Sequence, residues 1–178
     1  MRDALPESVD PRRLAEVGRE LSGSLSLARM PRLAELLDGA DVADPEFAAF
    51  TLEFGRDASG RDVVRGRVTA TLRLRCQRCN DLLELPVSSG FTLAVVHGLD
   101  EAAQLPAEYE PLLPDEAEID PATLVEDELL LAVPPVPRHV VGACEPPTYS
   151  APADDGADDR SLKHENPFAV LEALKRDH

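Results

Sequence analysis

Val64-Arg65-Gly66-Arg67-Val68-Thr69-Ala70-Thr71-Leu72-Arg73-Leu74-Arg75, running into Cys76-Gln77-Arg78-Cys79, is the stretch on which the fold turns. Its even positions are all apolar or small, and its odd positions are all arginine or threonine. A period of two sustained this long specifies a half-buried antiparallel strand with one face in the core and an arginine-lined face in water.

Downstream, Leu83, Leu85 and Val87 suggest the returning strand, broken by Pro86, and Phe91, Leu93 and Val95 resume the alternation. The Cys76–Cys79 turn is therefore placed at the tip of a hairpin. Upstream, Ser24 to Leu27 and the Phe50, Leu52, Phe54 series alternate in the same way. Three helices are announced by a capping side chain before a proline, at Asp10-Pro11, Asp120-Pro121 and Asn166-Pro167. Proline at the first helical position loses nothing, because its missing N–H would be unpaired there anyway. The first helix is expected to carry Leu14, Val17 and Leu21 on one face. The second is expected over Ala122 to Val133, stopped by Pro134-Pro135, and the third over Phe168 to Lys175. Residues 153–163 form an acidic stretch, expected to be a disordered linker before the last helix. The expected architecture is one α+β domain over residues 1–178: an antiparallel sheet with flanking helices and a zinc-knuckle-like hairpin tip.

Composition narrows the function classes. No segment approaches the roughly 20 apolar residues of a membrane span, and Met1 to Asp10 has no apolar secretory core. Three cysteines, an odd number without a signal segment, suit reduced thiols in the cytoplasm better than a disulfide framework. The net charge of −16 repels phosphate backbones over most of the surface and attracts basic proteins. The charge is unevenly spread. Arg56, Arg61, Arg65, Arg67, Arg73, Arg75 and Arg78 face only Asp57 and Asp62 in the same stretch, whereas no Lys or Arg lies between Cys79 and Pro137.

Cys76 and Cys79, with His139 and Cys144 downstream, make the pattern Cys-x2-Cys, a long gap, then His-x4-Cys. Two thiolates on one turn reach a common metal with little strain, and four protein ligands make a closed, structural zinc site. The prolines Pro134 to Pro137 stiffen the approach to the second pair and lower the entropy lost when the ligands gather. His97 is a substitute for His139. The alternative is three small buried thiols with Cys144 in a loop. Catalysis is disfavoured: a hydrolytic metal needs an open position and a base, and no His-Glu-x2-His motif is present. A redox dithiol would sit between a strand and a helix, whereas this motif joins two strands.

Two surfaces are candidates for partners. Arg65, Arg67, Arg73, Arg75 and Arg78 form a ridge suited to RNA phosphates, or else pair with the protein's own acids across the sheet. The strand lacks aromatic platforms for stacking bases. Glu126, Asp127 and Glu128 form an acidic face suited to a basic protein, or else an ordinary solvated helix face.

Four ordered motifs converge on one family: Val68 to Cys79, Leu105-Pro106-Ala107-Glu108-Tyr109-Glu110-Pro111, Ile119 to Pro134, and Asn166-Pro167-Phe168-Ala169-Val170-Leu171. Over about Asp10 to Arg176 the chain closely resembles the bacterial YceD family, large-subunit ribosomal RNA accumulation proteins with relatives in chloroplasts. His139 and Cys144 fall where that family tends to carry its later His and Cys. The resemblance implies a cytoplasmic, non-enzymatic factor supporting 23S rRNA accumulation and large-subunit assembly, and it brings no catalytic residues. The family is also associated with the gene neighbourhood of a large-subunit ribosomal protein. The expected partners are a large-subunit precursor, a ribosomal protein, 23S rRNA, or both of the last two, with no small-molecule substrate. Two other functions remain open: a zinc- or thiol-dependent enzyme, and an acidic chaperone for a single ribosomal protein.

Overall fold

The Asp10-Pro11 and Asp120-Pro121 signals both start helices, and they do so side by side. A computed structural model of the chain describes residues 5–37, 47–114 and 117–147. In it Val9 and Ile119 form an isolated antiparallel bridge, each donating its N–H to the other's carbonyl at 2.9 Å. Helix α1 (Pro11–Val17) then begins with Asp10 accepting from the N–H groups of Arg12 and Arg13. Helix α4 (Pro121–Ala132) begins with Asp120 accepting from Ala122 N–H and the Thr123 hydroxyl. Gly18, at φ +63°, ends α1 in the left-handed conformation that glycine tolerates. Leu21 consequently leaves the helix and falls in strand β1 (Glu20–Ser26), a correction to the sequence expectation.

After β1 a single 3-10 turn (Leu27–Arg29) leads to the short helix α2 (Pro31–Ala34). Strands β2 (Phe47–Arg56), β3 (Asp62–Arg75) and β4 (Leu82–Val95) follow, then the one-turn helix α3 (Leu99–Ala102) and β5 (Glu110–Leu112). The sheet order is β1-β2-β3-β4-β5. The first four strands are antiparallel, as the alternation required. The fifth runs parallel to β4, so the sheet is mixed rather than purely antiparallel. The fold is α+β.

Register explains the alternation of β3. Val64, Val68, Leu72 and Leu74 are buried, and Arg65, Arg67, Thr69, Thr71 and Arg75 are exposed. The buried face packs with Ala15 of α1, Leu33 of α2, and Val125 and Leu129 of α4. Each such leucine or valine taken fully out of water contributes on the order of 1.5–3 kcal/mol. Gly66 has a specific use: the Phe91 ring lies over it, and a β-carbon there would come within 2.0 Å of Cζ. Pro86 does not break β4, contrary to expectation. It pairs with Thr71, while β5 covers only Leu93 to Val95, so among the described residues the outer edge of β4 is unpaired at Pro86 and a missing N–H is tolerated there.

The described residues belong to one unit, Met1–Pro147. The 153–163 linker and the Phe168–Lys175 helix lie outside the described residues. Among those described, no helix is long and apolar enough to cross a membrane.

Candidate metal centre and partner surfaces

The β3–β4 hairpin closes through Cys76, whose N–H bonds Asp81 O at 2.9 Å and whose carbonyl accepts from Asn80 N–H at 2.8 Å. Asn80 supplies the left-handed residue of this turn, at φ +65°. A second segment docks on the tip: Gln77 N–H donates to Pro137 O at 2.8 Å, and His139 N–H lies 3.4 Å from Cys76 Sγ. The ligand atoms of Cys76, Cys79, His139 and Cys144 all come within 4.8 Å of one another. Cys76 Sγ lies 3.9 Å from Cys144 Sγ, and Cys79 Sγ lies 3.4 Å from His139 Nδ1. This cluster can hold a metal ion. His97 takes no part; its backbone N–H and Nδ1 face Glu101.

The imidazole is oriented for a metal. His139 Nε2 lies 3.0 Å from Leu82 O, an acceptor only, so the ring proton belongs on Nε2 and the Nδ1 lone pair turns toward the sulfurs. Leu82 O is a partner that the sequence did not signal. Burial is the largest influence on Cys76 and raises its thiol. The N–H groups of Cys79, His139 and Arg78 outweigh it and bring the thiol down to about 5. Cys79 is pushed up to about 12, by burial and then by its thiol neighbours Cys76 and Cys144. Thiols this close do not all ionise without a counter-charge, which a bound cation would supply.

The arginines fall on the wet face as expected, but several are engaged. Arg73 Nε lies 3.9 Å from Glu84, and Arg75 donates to Asn80 O at 3.0 Å. Arg65 stands opposite Glu53 in register, Arg67 stands between Thr51 and Gly90, and Arg78 is exposed at the tip. Arg138, also exposed and next to His139, adds a cation that the sequence reading did not select.

The acidic trio divides. Glu126 is only 5% exposed and is not partner surface, a correction to the sequence expectation. Its carboxylate accepts from the N–H groups of Arg32 (2.7 Å) and Leu33 (3.1 Å) at the start of α2, and from Arg32 Nη2 at 2.9 Å. It stands in for the capping side chain that Met30 does not provide. Asp127 pairs with Arg32 Nη1 at 2.7 Å, and Glu128 accepts from the Ser89 hydroxyl; both remain partly exposed.

The Leu105–Pro111 motif also has a structural task. The Tyr109 hydroxyl donates to Asp57 at 3.1 Å, and the Arg61 guanidinium sits over its ring. Asp57 in turn accepts from the N–H groups of Ser59 and Arg61 in the β2–β3 turn, so the motif ties the approach to β5 onto that turn.

The chain is similar to known proteins along nearly its whole length. A family model described as "Large ribosomal RNA subunit accumulation protein YceD" matches residues 64–175. A protein of that name from Haemophilus influenzae is 36% identical over 173 residues, spanning 97% of this chain and 97% of that protein. No solved structure matches. Strand β3 from Val64 onward, both halves of the metal cluster and helix α4 lie inside the span that the family model matches, and the chain belongs to the YceD family.

Proposed function

We propose that this protein is a non-enzymatic factor of the cytoplasm that supports accumulation of 23S rRNA and assembly of the large ribosomal subunit. The observation that carries this reading is the family membership across 97% of the chain. The acidic flank meets a basic ribosomal protein, and the arginine ridge of β3 meets rRNA phosphates, with Arg73 and Arg75 exchanging their own partners for them. A structural zinc joins the hairpin tip to the 137–144 segment. Three features support that metal. Four ligands converge; a tetrahedral site with Zn–S bonds of about 2.3 Å and Zn–N of about 2.0–2.1 Å has a sulfur–sulfur edge near ~3.8 Å and a sulfur–nitrogen edge near ~3.5 Å. The observed 3.9 and 3.4 Å separations match those edges. The Leu82 carbonyl behind His139 supplies the outer hydrogen bond that such ligands use.

The test has two arms. Metal analysis of purified protein is expected to give one zinc per chain, lost in Cys76→Ser and released as pH falls because protons compete for the thiolates. Binding to 23S rRNA fragments is then compared for wild type and a variant with Arg65, Arg67, Arg73 and Arg75 all changed to Ala. Loss of four phosphate contacts is expected to flatten the salt dependence of log K by about 3. If affinity and slope are unchanged, the ridge is not the rRNA contact. Copurification of large-subunit precursors from cells, with and without nuclease, shows whether RNA or protein holds the factor.

A further inference from the structure

We propose that the groove between α4 and the β4–β5 end of the sheet is a docking site for a cationic amphipathic segment of a partner protein. The proposal rests on the reading above that the acidic flank faces a basic protein, and it specifies where and how.

The groove follows from topology. Because β5 pairs with β4 only at Leu93 to Val95, the sheet ends abruptly beside α4. Val125 and Leu129, one turn apart on α4, are fully buried against the sheet. Leu124 and Leu131, seven residues apart and hence on one helix face, form a second stripe beside them. Among the described residues that stripe lacks a full cover: Leu131 is 76% exposed. With Phe91, Leu93 and Leu112 from the sheet, it lines a depression of about 430 Å³. The floor is apolar and open to water.

Charge selects the occupant. Glu110, Asp127 and Glu128 stand among the lining residues. Asp127 has Arg32 as a counter-ion, but Glu128 is bonded to a neutral hydroxyl and Glu110 is exposed. No Lys or Arg occurs between Cys79 and Pro137, and the whole chain carries −16. Nucleic acid and anionic lipid are repelled from such a rim. A segment with leucine-like anchors on one face and Lys or Arg on the other satisfies floor and rim together.

The experiment uses the full chain and three fluorescent helical peptides of equal length: Lys/Leu amphipathic, Glu/Leu amphipathic, and Lys/Leu with scrambled order. Leu131→Glu removes the apolar anchor while keeping the negative field. Glu110→Lys reverses part of the rim while keeping the floor. Both positions are exposed, and unfolding midpoints matching wild type verify that the fold is kept. The proposal expects the ordered Lys/Leu peptide to bind best, each substitution to weaken it about tenfold, and Glu110→Lys also to reduce the salt dependence. Equal binding of the scrambled peptide, or no effect of either substitution, overturns it. Individual proteins stripped from large ribosomal subunits are then tested in the same way. If one binds wild type and both variants equally, the basic-partner reading stands and the groove falls. If none binds while the peptide pattern holds, the groove stands and the ribosomal-protein reading falls. A wild-type dimer in sedimentation that Leu131→Glu makes monomeric would assign the groove to a second copy of this chain, and overturns the proposal.

Discussion

Glu126→Ala tests whether a carboxylate on α4 holds the start of α2 in place. In the wild type this side chain accepts from two backbone N–H groups, those of Arg32 and Leu33, and Leu33 is fully buried. Removing the acceptor leaves both donors without it, and each orphaned buried donor costs about 1–3 kcal/mol. The Arg32 guanidinium is half exposed and returns to water, so its ion pair adds little. The Arg32 N–H is only part-buried and costs about the low end of that range, so the sum is about 2–4 kcal/mol. With an m-value of about 2 kcal/mol/M, the urea midpoint should fall by about 1–2 M. Glu126→Gln keeps an oxygen for the backbone donors and should lose roughly half as much. The pH dependence adds a second check. Burial raises the Glu126 carboxyl, but the hydrogen bonds from Arg32 and Leu33 outweigh it and hold it below the ordinary value of 4.5. A group with a depressed folded-state value stabilises fully above its unfolded value, and that stability is lost as pH falls through the folded one. The gap between wild type and Glu126→Gln should therefore be constant near neutrality and close below pH 4.5. An Ala variant within about 0.5 kcal/mol of wild type, or a gap that persists in acid, would refute the capping argument.

Two further outcomes are expected. Gly66→Ala should destabilise by about 1–3 kcal/mol, since the new β-carbon would lie 2.0 Å from Phe91 Cζ; combined with Phe91→Ala the loss should be less than additive in denaturant melts. In a Tyr149→Phe background, the Tyr109 phenol should titrate above 10, raised first by burial and then by its bond to Asp57, and Asp57→Asn should bring it back toward that value by phenolate absorbance.

What was legible in the sequence was what neighbouring residues encode. The alternation over Val64–Arg75 placed Val68 and Leu72 inside and Arg65 and Arg67 outside, because side chains of a strand point to opposite faces in turn. Asp10-Pro11 and Asp120-Pro121 gave the helix starts, because a cap and the fixed proline ring act within one turn. Pro86 misled because a proline's effect depends on whether its edge is paired, which the local sequence does not record. Likewise β5 offers only Glu110–Leu112, too short to show a period, and its parallel pairing with β4 depends on where the chain returns.

The acidic run Glu126-Asp127-Glu128 shows the division most plainly. By composition it is a solvated helix face, and only the approach of Arg32 and Leu33, more than 90 residues away, buries the first carboxylate. The metal cluster is intermediate: ligand types and spacing were visible in the chain, but the convergence of Cys76 with Cys144 waited on Gln77 bonding to Pro137. Sequence by itself determined the strands and caps, whose causes lie within a turn or a pleat. Tertiary structure alone decided which charges are buried, where the sheet ends and which thiols meet, because those depend on contacts between segments that only folding brings together.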